Sequence, residues 1–159
     1  MKQWVIDIET DGLDASLVHC IVAANADDPS ETKVWEQTEC YTTFPVWCKE
    51  ILDDGDYIVG HSFISFDSIH LNRLLGTAIP VERIIDTLVM SYLGNPTRDG
   101  GHSLESWGER FNHPKLVNED WLTYTPHILE RCKGDVTINY KTYKYLKKEL
   151  SYLPPDVYW

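Results

Sequence analysis

The amino-terminal part of the chain has the pattern of short antiparallel strands: apolar or alternating runs separated by turn residues. The first run, Q-W-V-I-D-I, is expected to stop at Glu9 or Thr10, because Asp11-Gly12 is a turn dipeptide. The predicted strands cover residues 3–8, 17–24 and 33–36, with a turn cluster at 27–30 before the third. This part of the sequence therefore predicts a three-stranded meander.

Farther along, helical spacing alternates with short apolar runs. Ser103 is a predicted N-cap for a helix that carries Leu104, Trp107 and Phe111 on one face. The longest helix is predicted to begin with Thr125 as N-cap and Pro126 at its first position, and to extend to residue 150. The other predicted elements are helices over 44–52, 67–75 and 87–93 and strands over 57–60 and 83–85. A meander followed by alternating helices and strands predicts an α/β fold with a mixed sheet of about five strands flanked by helices.

The composition is that of a globular protein. With 159 residues, 43% of them apolar and 12% aromatic, we expect a single domain over 1–159. No apolar run approaches the about 20 residues that span a bilayer, so we expect a soluble, cytoplasmic protein that does not contact a membrane. The four cysteines are scattered, and their spacing indicates neither a zinc site nor a disulfide framework. We expect free thiols.

The formal net charge of −11 weighs against a simple nucleic-acid-binding protein, because such binding normally depends on lysine and arginine. The charge is compatible with a nuclease whose carboxylates are neutralised by metal ions. It is equally compatible with a module that leaves most of the contact with nucleic acid to a partner.

Two carboxylates stand at the end of the first predicted strand. Side chains alternate along a strand, so Asp7 and Glu9 are expected on one face and Ile6 and Ile8 on the other. Two like charges in one small space raise each other's pKa and are costly to bury unless a divalent cation lies between them. The pair therefore predicts a metal site.

Three further acidic residues lie in apolar surroundings. Asp67 follows an apolar and aromatic stretch, and is either a site residue or an acid favoured by a helix N-terminus. Asp135 lies within the apolar stripe of the last helix, beside Gly134, whose lack of a side chain would let another backbone or a ligand come close. Asp86 lies where a strand meets a helix and is interpreted as a cap.

Taken together, Asp7, Glu9, Asp67 and Asp135 are four oxygen donors without histidine, a set that suits Mg²⁺ or Mn²⁺. Two such ions about 4 Å apart can stabilise the attacking and leaving oxygens of a phosphoryl displacement. The set predicts phosphodiester hydrolysis.

These residues resemble the DEDD (DnaQ-like) 3′–5′ exonucleases, which have a ribonuclease H-like fold. The three motifs of that family are matched by D-I-E-T-D-G-L at 7–13, H-S-F-I-S-F-D at 61–67 and R-C-K-G-D-V at 131–136. The segments I-D-T-L-V-M-S-Y-L, G-G-H-S-L-E-S-W-G-E-R-F and the closing Y-L-P-P-D look more narrowly like the proofreading domain of phage family A DNA polymerases. The resemblance covers nearly the whole chain.

The resemblance implies a role for each matching residue. The ligands of two Mg²⁺ or Mn²⁺ ions would be Asp7, Glu9, Asp67 and Asp135, with Glu9 also near the terminal 3′ hydroxyl. Thr10 and Leu13 would contact the terminal nucleotide, Leu13 as an apolar wedge, and Phe66 would line the same pocket. Ser62, a shorter donor, stands where the second motif usually has asparagine.

The third motif departs from the family pattern at the residue that orients the attacking water. The family has tyrosine four residues before the last aspartate or histidine five before it, whereas this chain has Arg131 and Glu130. Arg131 shares a helix face with Asp135 and is either a catalytic residue that binds the scissile phosphate or a solvated arginine. His127 is too far along the helix to substitute, while Tyr124 or His102 could enter from a loop.

The leading hypothesis is an exonuclease that removes nucleoside monophosphates from the 3′ end of single-stranded or frayed DNA. The alternative is a weakened or inactive exonuclease fold that serves as a binding module for a DNA polymerase. A third hypothesis keeps the exonuclease activity and changes the substrate to RNA. The sequence also leaves open whether the chain is a whole protein or a domain excised from a polymerase, and a phage origin would place it in the host cytoplasm.

Overall fold

The computed structural model describes residues 1–154, and the last residues of the Y-L-P-P-D segment, with the rest of the tail, lie outside that range. Within it, one mixed sheet has five strands in the order β3-β2-β1-β4-β5. The first three strands are antiparallel, and β4 and β5 run parallel to β1. The strands are β1 (Gln3–Thr10), β2 (Val18–Asn25), β3 (Thr32–Glu36), β4 (Tyr57–Gly60) and β5 (Ile84–Asp86). The predicted meander and mixed sheet are confirmed.

Five α-helices flank this sheet in the described part of the chain. They are α1 (Glu39–Asp53), α2 (Asp67–Leu75), α3 (Thr87–Gly94), α4 (Leu104–Arg110) and α5 (Pro126–Glu149), with a short 3₁₀ turn over Val81–Arg83. Each predicted helix is present, and α2 has the predicted bounds.

The start of α1 was predicted wrongly, at residue 44 instead of 39. Cys40 extends the buried stripe of this helix by one turn, in front of Phe44 and Cys48. The packing of this additional turn compensates for the backbone hydrogen bond that is lost because Pro45 has no N–H to donate inside the helix. The apolar spacing was therefore counted from one turn too late.

The two faces of the sheet bury separate apolar clusters. Val5 faces α5, whereas Ile6 and Ile8 face α1 and α2, as the alternation along β1 predicted. Because Asp7 and Glu9 continue the Val5 side, their carboxylates point toward α5. Because β1 lies at the centre of the sheet and α5 packs over this face, acidic side chains here are largely shielded from solvent.

The caps were predicted in the right positions. The Asp86 carboxylate accepts a hydrogen bond from Leu88 N at the start of α3, and Ser103 Oγ accepts one from Ser106 N at the start of α4. Thr125 precedes α5 and Pro126 is its first residue, but the Thr125 side chain makes no capping hydrogen bond.

All four cysteines are free and buried, as predicted. Cys20 and Cys132 belong to the α5 side of the sheet, and Cys40 and Cys48 to the α1 side. Among residues 1–154, no helix has both the length and the apolar character needed to cross a membrane.

Candidate active site

The end of β1 brings Asp7 and Glu9 to the surface of a cleft under α5. Ligand atoms of Asp7, Glu9 and Cys132 all lie within 4.8 Å of one another. Cys132 comes from α5, which packs across this end of the strand. The predicted juxtaposition of the two carboxylates is confirmed.

Asp67 reaches the same cleft because the loop before it is held tightly. The Asp86 carboxylate accepts hydrogen bonds from Ser62 N at 2.9 Å and Ile64 N at 3.1 Å. Ser62 itself has a positive φ of 56°. Asp86 is thus more than the cap predicted from the sequence, since it also fixes the loop that delivers Asp67 to the start of α2.

Asp135 completes the set from α5. It is buried and lines the same cleft as Asp7, Glu9 and Asp67. Its Oδ1 atom is buried without a hydrogen-bond partner, whereas Oδ2 lies 3.3 Å from Lys115 Nζ. All four acids predicted from the sequence therefore line one cleft.

Arg131 lies inside this cleft and is not solvated, because only 18% of its side chain is exposed. Its Nη1 atom lies 2.7 Å from Glu9 Oε1 and 3.5 Å from Asp135 Oδ2. Its Nε atom donates to Leu116 O at 2.9 Å, and its guanidinium stacks over the Trp121 ring at 4.8 Å. The interpretation of Arg131 as a solvated arginine is therefore wrong.

Lys115 is a site residue that the sequence did not indicate. It lies in the loop between α4 and α5, a segment without periodicity from which no side-chain direction can be predicted. The loop is held over the cleft by hydrogen bonds of Leu116 O to Arg131, Val117 O to His127 at 2.6 Å and Trp121 O to His19 at 2.5 Å. The excess of acids near it was the one available signal.

The cleft has a volume of about 410 Å³ and is lined also by Thr10, Leu13 and Phe66. Leu13 is 89% exposed, so an apolar side chain stands free at the rim. Thr10 is buried, with its hydroxyl donating to Gly12 O at 2.8 Å. The structure thus places these three side chains beside the four acids.

Ser62 lines a second cleft of about 450 Å³, which shares Asp7 and Asp135 with the first and includes His61 and His102. Lys115 lines both clefts. Tyr124 donates its hydroxyl hydrogen bond to Glu36 and does not line the first cleft. His102 stacks on Tyr92 and lines only the second cleft.

Burial and mutual repulsion shift the pKa values of the acids upward. Burial, followed by the charges of Asp135, Glu9 and Asp67, raises the pKa of Asp7 well above its usual range. Burial raises the pKa of Glu9 to about 7 although Arg131 lowers it, and burial with the Glu9 charge raises that of Asp67. The pKa of Asp135 is also raised by burial, against the effect of Lys115 and Arg131.

These features fit a divalent cation. Three buried carboxylates and the half-buried Asp7 repel one another, and a cation bound among them would remove that repulsion. The unpartnered Asp135 Oδ1 is a further acceptor that a cation would satisfy. Oxygen donors of this kind suit Mg²⁺ or Mn²⁺.

No protein-family model and no curated protein sequence matches this chain. Among solved structures, Brucella melitensis NrnC bound to pGG is 20% identical, with a TM-score of 0.74 over 94% of this chain and 74% of that one. The family B DNA polymerase from Pyrobaculum calidifontis is 17% identical, with a TM-score of 0.64 over 95% of this chain and 24% of the polymerase. Phi29 DNA polymerase with primer-template DNA is 13% identical, with a TM-score of 0.58 over 93% of this chain and 32% of the polymerase.

At these identities the likeness is one of fold. The mixed five-stranded sheet with flanking helices, together with these neighbours, confirms the predicted ribonuclease H-like fold. A structure of NrnC with bound Mg²⁺ is similar as well, with a TM-score of 0.70.

Proposed function

We propose that this chain is a metal-dependent 3′–5′ exonuclease of the DEDD superfamily, which hydrolyses the terminal phosphodiester of DNA and releases nucleoside monophosphates. The observation that carries the proposal is the convergence of Asp7, Glu9, Asp67 and Asp135 in one cleft. These residues come from β1, α2 and α5, and they stand at the acidic positions of the three segments that resemble the DEDD motifs. Fold likeness to a nuclease and to DNA polymerases supports the same conclusion.

Two divalent cations, Mg²⁺ or Mn²⁺, would be held by these four carboxylates. Bound there, they would supply a lower pKa for the attacking water and neutralise charge that develops on the phosphate. The protein groups nearest to the reacting phosphate would be Asp135 Oδ1, which has no hydrogen-bond partner, and the side chains of Arg131 and Glu9, which lie 2.7 Å apart.

Arg131 and Lys115 are the cations that this chain itself presents to a substrate phosphate. Both lie within 4 Å of a carboxylate of the cluster, and both line the cleft. Arg131 keeps Glu9 in place and presents a charged donor at the scissile phosphate, which strengthens binding as charge builds up. Lys115 lies where the two clefts meet, and we assign it to the phosphate on the other side of the scissile bond.

The rim of the first cleft suits the terminal nucleotide. Leu13, exposed and apolar, would wedge against the last bases, and Phe66 would line the same pocket. Thr10, which is buried and lines this cleft, would also contact the terminal nucleotide. Ser62, in the second cleft, would contact the strand on the other side of the acids instead of the terminal base.

DNA is the proposed substrate, with RNA as the competing nucleic acid, and a DNA polymerase is the proposed partner. Two neighbours in fold are DNA polymerases, and another is a structure bound to pGG. The narrower resemblance to the proofreading domain of phage family A polymerases stays a prediction.

Digestion of end-labelled oligonucleotides tests this function. With Mn²⁺, a 5′-labelled single-stranded DNA should give a ladder shortened from its 3′ end, whereas a 3′-labelled one should release labelled mononucleotide at once. A matched RNA of the same sequence should be cut more slowly. Internal cleavage, or release of mononucleotide from the 5′ end, would contradict the proposal.

One observation favours the second candidate, an inactive fold that binds a polymerase. Arg131 and Lys115 form salt bridges with Glu9 and Asp135, and so neutralise part of the acid cluster from within the protein. Calorimetry separates the two functions. Mn²⁺ binding that is lost in Asp7→Asn supports the nuclease, and no Mn²⁺ binding supports the inactive module.

A further inference from the structure

A thiol lies among the acids of the candidate active site, where the fold places it from α5. Cys132 precedes Asp135 by three residues, so both side chains lie on the helix face that packs against β1. Cys132 Sγ donates to Asp7 O at 3.3 Å and to Asp7 Oδ2 at 3.5 Å. We propose that Cys132 supplies a sulfur ligand beside Asp7 and Glu9, so that this chain binds a thiophilic cation such as Zn²⁺ there.

The geometry suits such an ion. In a tetrahedral zinc site with Zn–S of about 2.3 Å and Zn–O of about 2.1 Å, sulfur and oxygen ligands lie about 3.6 Å apart. The observed separation of Cys132 Sγ and Asp7 Oδ2 is 3.5 Å. Ligand atoms of the third residue, Glu9, lie within 4.8 Å of both, so side-chain rotations that shorten these separations would bring three donors to one ion.

A second observation points to a cation independently of the thiol. Asp135 is 3% exposed, and its Oδ1 atom is buried without a hydrogen-bond partner in the cleft that Asp7 and Glu9 line. A buried acceptor of this kind is costly unless a ligand satisfies it. The unpartnered Asp135 oxygen therefore indicates a cation in the same cleft.

Sulfur changes which cation is preferred. Carboxylates alone favour hard cations such as Mg²⁺, whereas a thiolate favours Zn²⁺ and Cd²⁺. When the ion binds, the Cys132 S–H bond breaks, a metal–sulfur bond forms, and the proton goes to solvent. The sequence did not indicate this site, because Cys132 has no cysteine or histidine partner at ligand spacing.

Binding at this position would exclude one of the two proposed catalytic cations, so Zn²⁺ would inhibit hydrolysis supported by Mg²⁺. This consequence rests on the proposed function. The binding itself does not, because it is measured on the protein without any nucleic acid.

Titration of the reduced chain with Cd²⁺ tests the proposal directly. We expect thiolate-to-Cd²⁺ charge-transfer absorption in the ultraviolet for the wild-type chain, with one Cd²⁺ bound in this site. Cys132→Ser should lose the absorption. It should also bind Cd²⁺ more weakly, and the loss of affinity should exceed the factor of about 10 to 100 that is typical of removing an outer-shell partner. Cys48→Ser, which removes a buried thiol on the opposite face of the sheet, is the matched control and should keep both.

A second variant covers the case in which Cys132→Ser does not fold. Asp7→Asn keeps the thiol but removes its neighbouring ligand, and should also weaken Cd²⁺ binding. The proposal is overturned if the wild-type chain shows no charge-transfer absorption, or if Cys48→Ser loses it as Cys132→Ser does. Absence of hydrolysis with Mg²⁺ while the absorption persists would contradict the nuclease function and leave this site in place.

Discussion

Arg131 Nη1 lies 2.7 Å from Glu9 Oε1, and this contact joins α5 to β1 across the acid cluster. The same atom lies 3.5 Å from Asp135 Oδ2, so one guanidinium touches two proposed metal ligands. The family that the chain resembles has tyrosine at this position or histidine one residue before it. The structure therefore puts a guanidinium where the members with tyrosine have a neutral hydroxyl.

Replacing Arg131 should lower catalysis more than it lowers stability. We expect Arg131→Ala to reduce kcat by about 10²-fold, since it removes a charged donor at the reacting phosphate. Arg131→Lys should restore little, because lysine cannot hold Glu9, Leu116 O and the Trp121 ring at once. Single-turnover hydrolysis measures the effect, with thermal unfolding as the control. Wild-type kcat in Arg131→Ala would contradict this role.

Lys115 should contribute one phosphate contact. In an Asp7→Asn background, in which cleavage is slowed, Lys115→Met should weaken single-stranded DNA binding and make the slope of log K against log salt shallower by about 0.7. Lys133→Met is the matched control, because that lysine pairs with Glu130 on the surface of α5 and lines neither cleft of the site. An unchanged slope in Lys115→Met would remove it from the binding surface.

The raised pKa of Glu9 predicts how stability changes with pH when no metal is bound. Its pKa is about 7 in the folded chain against 4.5 normally, so the folded state holds this proton more tightly than the unfolded state. The stabilisation is therefore present at low pH and is lost as pH rises from about 4.5 to about 7, by at most about 3 kcal/mol. Urea unfolding with EDTA at pH 5 and pH 8 should show this loss in wild type and a smaller loss in Glu9→Gln.

His61 changes stability in the opposite sense. Burial lowers the pKa of His61 to about 4. The stability that His61 contributes is therefore present above about pH 6.5 and is lost as the pH falls toward about 4. Glu9→Gln keeps His61, and the difference between the two proteins therefore isolates Glu9. Identical pH dependence in both proteins would show that Glu9 is not perturbed.

Two glycines near the Lys115 loop form a matched pair. A Cβ on Gly108 would lie 2.5 Å from His113 O, so Gly108→Ala must displace the backbone that leads to Lys115. We expect it to destabilise the protein by about 1–3 kcal/mol and to slow hydrolysis. A Cβ on Gly134 would meet only His113 Nε2 at 3.9 Å, so Gly134→Ala should stabilise α5 by up to about 1 kcal/mol. Chemical denaturation of both variants checks the pair, and equal effects would contradict it.

The same comparison corrects one sequence interpretation. The expected approach of another backbone to Gly134 is wrong, because no backbone atom of the described chain comes within 4 Å of its Cβ position, apart from its neighbours along α5; the approach of a ligand there stays a prediction. The close approach occurs at Gly108 instead, where α4 meets the loop. Sequence periodicity marks both residues as helical and does not distinguish them.

Three of the four clustered acids were predictable because their positions follow from two periodicities. Alternation along β1 places Asp7 with Glu9, and the 3.6-residue repeat of α5 places Asp135 in its buried stripe. The loop contacts were not predictable, because Lys115 depends on carbonyl hydrogen bonds that leave no pattern in the sequence. The Arg131–Glu9 contact also joins residues 122 positions apart, which a local pattern cannot indicate.

Metal-dependent cleavage of a 5′-labelled single-stranded DNA, compared between wild type and Asp7→Asn, tests the acid cluster most directly. With Mn²⁺ the wild-type chain should shorten the DNA stepwise from its 3′ end, and EDTA should stop the reaction. Asp7→Asn should be slower by at least about 10²-fold while remaining folded. Equal cleavage by the two proteins, or intact DNA with the wild-type chain and Mn²⁺, would contradict the account.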